Sequence, residues 1–160
     1  MVQAVGNKRI RAILLVLVVL FVVAQWAGPQ RSNPPIAKAE SLEASAAAPS
    51  PVVATVRRAC FDCHSHETQW PAYAYVAPVS WLVINHVNEG REQLNFSRWG
   101  GYSPDERAEL LEDACKLARS GDMPLSSYLL IHREARPTGE EVEALCAWSS
   151  AETPRRETGR

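Results

Sequence analysis

The chain has 160 residues, with 17 Lys and Arg against 18 Asp and Glu and a net charge of −1, so no global basic field marks it for nucleic acid. That length amounts to one small domain once any targeting segment is set aside. The four cysteines are too few for a disulfide scaffold of this size, and their placement says more than their number: Cys60 and Cys63 form a pair, while Cys115 and Cys146 stand alone.

Residues 1–27 read as a signal or membrane anchor. Lys8, Arg9 and Arg11 precede thirteen uninterrupted apolar residues, Ala12 to Ala24. A basic flank ahead of an apolar run is an export signal, and the basic residues keep to the cytoplasmic side. Two fates stay open. Val22 and Ala24 are small enough for cleavage after Ala24. The run from Ile10 to Ala27 also approaches the ~18 residues of a bilayer span, with Trp26 at the interface. The expectation is a single transmembrane helix with the remainder outside, where a thiol pair does not usually stay reduced.

Residues 28–51 are rich in Pro, Ala and Ser, with Ile36 and Leu42 as the only large aliphatics. That composition predicts a flexible linker that adds nothing to a core, with short helical pieces in its Ala-rich middle. The folded domain is expected over 52–151, and 152–160 as a disordered tail.

Four helices are predicted in the domain, and no segment alternates long enough to be a strand. The first covers "PVVATVRRACFDCHS", with Pro51 near its start and Val53, Val56 and Cys60 at helical spacing. The second lies in "APVSWLVINHVNEG" and ends at Gly90. The third opens with a capping box of Ser103 and Glu106, has Pro104 at its first position, and stops at Gly121. The fourth opens with a second capping box, Thr138 and Glu141, and runs to about Ser150. The fold class is all-α.

The chemistry is concentrated in Cys60-Phe61-Asp62-Cys63-His64. On a helix, Cys60 and Cys63 share a face and His64 lies one turn from Cys60. Two thiols so placed can add to the two vinyl groups of one porphyrin while the adjacent imidazole reaches its iron, and C-x-x-C-H is the attachment signature of haem c. A zinc site would need two further ligands, and Cys115 and Cys146 form no second pair. A redox dithiol would need a thioredoxin-like βαβ context, which is absent. One covalent haem, held through Cys60 and Cys63 with His64 on the iron, is the expected cofactor.

Met123 is the expected sixth ligand. It is the one methionine beyond the N-terminus, in the polar loop "SGDMPLSSY" after the Gly121 stop. A thioether favours reduced iron and raises the potential. His86 and His132 compete, as does an open site; His66 lies too near the attachment point to cross the porphyrin. Met123 follows His64 by 59 residues and precedes a last helix. This order resembles small monohaem cytochromes c, whose C-terminal helix docks on the first.

The pieces "CFDCHSHETQWPAYAYVAPVSWLV", "EGREQLNFSRW", "GDMPLSSYLLIH" and "EEVEALCAW" occur in an order that resembles the haem-binding domain family of membrane-tethered bacterial c-type proteins. The resemblance covers about Val52 to Trp148. Where the family carries Trp-Pro-Trp-Tyr, this chain has Trp70-Pro71-Ala72-Tyr73. The resemblance implies one covalent haem and single-electron transfer at the bacterial cytoplasmic (inner) membrane, on its periplasmic side. The partners implied are the membrane and redox proteins of an electron-transport chain, without nucleic acid. No enzymatic reaction is indicated. A haem-based sensor with a labile Met123 is the alternative.

Several residues keep two readings. Trp70, Tyr73, Tyr75 and Trp81 would pack on a porphyrin or form an ordinary core. Arg91 and Arg98 could each grip a haem propionate or stay solvated. Cys115 follows Leu111 by four and Cys146 follows Val142 by four, so both face inward, as a disulfide or as two buried small hydrophobes. Between Val52 and Thr153, nine Arg and Lys face fifteen Asp and Glu. That excess is a solvated helix face or a means of steering a positively charged redox partner.

Overall fold

The structure is a computed structural model that describes residues 2–45 and 48–152, with the side chains of 2–6 left aside. The tail expected to be disordered lies outside the described residues from 153 onward. Among the described residues there are seven α-helices and no strand, as the all-α reading requires. They are α1 (Val2–Ala24), α2 (Ser50–Ala59), α3 (Phe61–His64), α4 (Val79–Gln93), α5 (Pro104–Ser120), α6 (Ser126–Leu129) and α7 (Gly139–Glu152), joined by loops and short 3₁₀ turns. The chain divides into two compact units, residues 1–32 with 70–86, and residues 33–69 with 87–160.

In the first unit α1 is followed by chain that packs on the loop before α4. The Gln25 side-chain oxygen accepts the Ala77 backbone N–H at 2.9 Å. Arg31 donates to the Ala74 carbonyl at 2.9 Å and lays its guanidinium 4.1 Å from the centre of the Tyr75 ring. No helix among the described residues is long and apolar enough to cross a membrane. In α1 the basic residues stand inside the helix. The uninterrupted apolar stretch is thirteen residues, about 20 Å at helical rise against a hydrocarbon core of about 30 Å.

The second unit holds the core. Leu42, Val52, Val56, Phe61, Leu94, Phe96, Trp99, Leu111, Leu145 and Trp148 form one buried cluster. Its aromatic members are in contact, Phe61 stacked on Phe96 at 5.6 Å and Trp99 tilted against Trp148 at 5.6 Å between ring centres. This is a different aromatic set from the one the sequence suggested; Tyr75 of that set is 56% exposed. Leu42 corrects the linker expectation. It is fully buried, and its N–H donates to the Phe96 carbonyl at 2.9 Å. The segment is held as well by Asn33, which donates to the Thr68 carbonyl at 2.9 Å, and by the ion pair of Glu43 with Arg57.

Both predicted capping boxes form. Ser103 and Glu106 exchange side-chain-to-backbone bonds at the start of α5, and α5 stops at Gly121 with φ of 79°. Thr138 and Glu141 do the same at α7. A disulfide between Cys115 and Cys146, with Cα atoms 5.0 Å apart, fastens α5 to α7. The last helix also docks on α2, where Thr55 donates to Glu141 at 3.2 Å and Arg58 to the same carboxylate at 2.6 Å.

Candidate haem site

The first predicted helix is two helices. The chain leaves α2 at Cys60, where φ is −123°, and re-enters as α3. The kink preserves one turn: the Cys60 carbonyl accepts the N–H of Cys63 at 3.2 Å and of His64 at 2.9 Å. Cys60, Cys63 and His64 therefore remain on a single turn, as the motif demands.

The loop after this turn is fixed by short-range bonds. Ser65 is fully buried and donates to the Phe61 carbonyl at 2.7 Å. Asp62 accepts the Gln69 N–H at 2.9 Å, and its carbonyl accepts the Thr68 hydroxyl at 2.7 Å. Arg91 donates to the Ser65 carbonyl at 2.7 Å, to Thr68 Oγ1 at 2.8 Å and to Asn33 Oδ1 at 2.9 Å. The Arg91 guanidinium thus braces the loop. Arg98 is exposed.

The second predicted helix was to end at Gly90, yet α4 continues to Gln93. Gly90 serves a different purpose. A Cβ there would stand 2.6 Å from the Cys63 carbonyl oxygen, so only glycine lets α4 approach the cysteine turn this closely. That approach delivers the Leu94 carbonyl to His64, 3.1 Å from Nδ1. A carbonyl can only accept, so Nδ1 carries the proton and Nε2 keeps its lone pair. Burial lowers the His64 pKa, while the Leu94 and Gly90 carbonyls pull it back up. The product is an oriented neutral imidazole of the kind that ligates metals.

Burial also pushes the thiols up, Cys60 to about 12 with help from Cys63, and Cys63 to about 11 with help from the Asp62 charge. A redox dithiol has the opposite bias, with a lowered thiol pKa. Both thiols are free of disulfide. Among the described residues no group of three His, Cys, Asp or Glu side chains could hold a metal ion, so no protein-only zinc site forms. Two thiols free of disulfide and held protonated, beside a neutral imidazole, suit a porphyrin edge.

The other histidines are accounted for in part. His66 donates from Nδ1 to the Pro35 carbonyl at 3.3 Å and accepts the Asn95 amide at Nε2, 2.9 Å away. Both of its ring nitrogens are used, which agrees with its exclusion from the iron. His132 stacks on Tyr128 at 4.4 Å between ring centres, with Nδ1 3.3 Å from Glu134. His86 is half-buried on α4, within the first unit.

Met123 is half-buried, and its N–H donates to the Leu117 carbonyl at 3.1 Å. Leu117, Leu130 and Ile131, on either side of it in the chain, are 40%, 76% and 64% exposed. The chain beyond Met123 is tied to the cysteine turn by Tyr128, whose hydroxyl donates to Asp62 Oδ2 at 2.8 Å. Arg58, two residues before Cys60, donates to the carbonyls of Glu134 and Arg136. Sequence reasoning missed Asp62, Gly90, Leu94 and Tyr128. Only Asp62, inside the motif, offered any local cue.

A small helical unit that presents two protonated thiols and a neutral imidazole on one turn defines a haem-binding module. The sequence model of the haem-binding domain matches residues 19–151, and the chain belongs to that family. Haem is the group it holds. The match takes in the segment around Leu42 that composition had assigned to a linker. No curated protein and no solved structure matches the chain.

Proposed function

We propose that this protein is an exported monohaem c-type carrier of single electrons. Cys60 and Cys63 hold the haem through thioether bonds, His64 ligates through Nε2, and Met123 supplies the sixth ligand. Residues 1–27 direct export of the domain to the outer face of a bacterial cytoplasmic membrane. Redox proteins of an electron-transport chain are its partners.

One observation carries the reading: the Leu94 carbonyl fixes the His64 tautomer on the same turn as two unoxidised, protonated thiols. When bound, the iron supplies reversible one-electron chemistry. The chain keeps the imidazole neutral and aimed, and holds the attachment turn half-buried. The Cys115–Cys146 disulfide supports an oxidising compartment. The basic flank of Lys8, Arg9 and Arg11 ahead of the apolar run supports the orientation.

The test is an intact mass and visible spectrum of the chain made together with the cytochrome c maturation machinery. The expected product carries one haem, shows c-type bands and keeps its pigment in acidified organic solvent. A colourless product, or pigment extracted by that solvent, overturns the reading. Met123→Ala should alter the oxidised spectrum. Carbon monoxide should bind slowly to the reduced native protein; rapid binding favours the sensor function over the carrier.

A further inference from the structure

The loop that carries Met123 is pinned at both ends. At its start, the Met123 N–H is held by the Leu117 carbonyl at the end of α5. At its far end, Tyr128 reaches across 66 residues of sequence to Asp62, between the two cysteines, at 2.8 Å. The same carboxylate takes the Gln69 N–H on its other oxygen at 2.9 Å, so Asp62 is itself held in place. The Tyr128 ring is steadied by its stack on His132, and its carbonyl accepts the N–H groups of Ile131 and His132 at 3.2 and 3.0 Å. A hydroxyl donated to a carboxylate is among the stronger single hydrogen bonds of a protein.

We propose that Tyr128 is a positioning residue for the sixth ligand: its bond to Asp62 latches the Met123 loop to the attachment turn and sets how readily Met123 yields to an external ligand. This rests on Met123 being the ligand. Residue 128 does not touch the iron; it restrains the chain on which the thioether is carried. With the latch cut, the loop keeps one of its two anchors and opens more often.

The experiment uses the mature haem-bearing protein and four forms: native, Tyr128→Phe, Met123→Ala and the double variant. Phenylalanine keeps the ring for the His132 stack and removes only the hydroxyl. In Tyr128→Phe, carbon monoxide should bind the reduced protein about tenfold faster, the scale of one charge-assisted hydrogen bond. Adding Tyr128→Phe to Met123→Ala should change nothing further. Amide hydrogen exchange over residues 124–132 should also quicken in Tyr128→Phe, a readout that needs no ligand. Asp62→Asn, which removes the charge from the same bond, gives a smaller acceleration and serves as second variant.

An unchanged binding rate in Tyr128→Phe, where Met123→Ala does alter the spectrum, overturns the latch and leaves the ligand assignment standing. An equal acceleration in the Met123→Ala background also overturns it, because the effect would then not pass through the loop. A Met123→Ala spectrum identical to native sinks the ligand assignment and the latch together.

Discussion

The α-carbon of Gly90 faces the backbone of Cys63 so closely that a Cβ on it would lie 2.6 Å from the Cys63 oxygen and 3.1 Å from its carbonyl carbon. Alanine in place of an interior helical glycine ordinarily adds about 0.5–1 kcal/mol of stability. Here the sign reverses. Gly90→Ala must push α4 off the cysteine turn, and the overpacking should cost a net ~1–3 kcal/mol. Thermal unfolding should show a lower Tm, and the shift of the Leu94 carbonyl should loosen the His64 orientation. An unchanged or raised Tm would contradict the close approach.

Leu42 is fully buried among core residues contributed by α2, α5 and α7. Leu42→Ala should lower the unfolding free energy by about 2–5 kcal/mol, as buried leucines do. A chain beginning at residue 50 should unfold at markedly lower urea than one beginning at residue 33. Equal midpoints for the two would mean that Leu42 contributes nothing.

Cys115 and Cys146 close a loop with a sequence separation of 31. A loop of that length restricts the unfolded chain enough to be worth about 2–4 kcal/mol. Replacing both cysteines with serine should lower stability by that amount. Thiol counting gives an independent check. With the haem bound through Cys60 and Cys63 as proposed, the denatured protein should take up no alkylating agent until a reductant is added, and then two equivalents.

Glu141 is held at about 2, first by the Thr138 backbone N–H and then by the Arg58 guanidinium. That is below the ~4.3 of an unfolded glutamate. Its contribution is therefore complete above about pH 4.5 and disappears as pH falls toward 2. The carboxylate and its arginine are 31% and 34% exposed, so solvent screening trims the effect to about 1 kcal/mol or less. Glu141→Gln should cost that much at pH 7 and flatten the loss of Tm between pH 4.5 and 2. A native-like slope in the variant would assign the acid sensitivity elsewhere.

Features that depend on a few neighbouring residues were legible in the sequence. Ser103 with Glu106 and Thr138 with Glu141 announce helix starts because capping is settled within four residues. The thiols and imidazole of C-x-x-C-H were legible for the same reason. Gly90 was not, because its purpose is set by Cys63, 27 residues earlier, and a glycine at a helix end has the same local appearance. Leu42 was hidden by averaging over a small, polar segment. The helix break at Cys60 carries no breaker residue; the kink follows from packing rather than propensity. Asp62 and Tyr128 belong to segments that meet only in the folded chain, and neither signals the other.

Arg58 and Asp62 bracket the first cysteine, and their distant partners come late in the chain: Tyr128 at 66 residues, Glu134 at 76, Arg136 at 78 and Glu141 at 83. On the proposed export, N-terminus first, the two thiols would emerge well before the side chains and carbonyls that bond to Arg58 and Asp62. The nascent segment would then pass through an interval in which those partners are still missing and both sulfurs are open to the attachment proposed above, and arrival of the C-terminal third would bring that interval to a close.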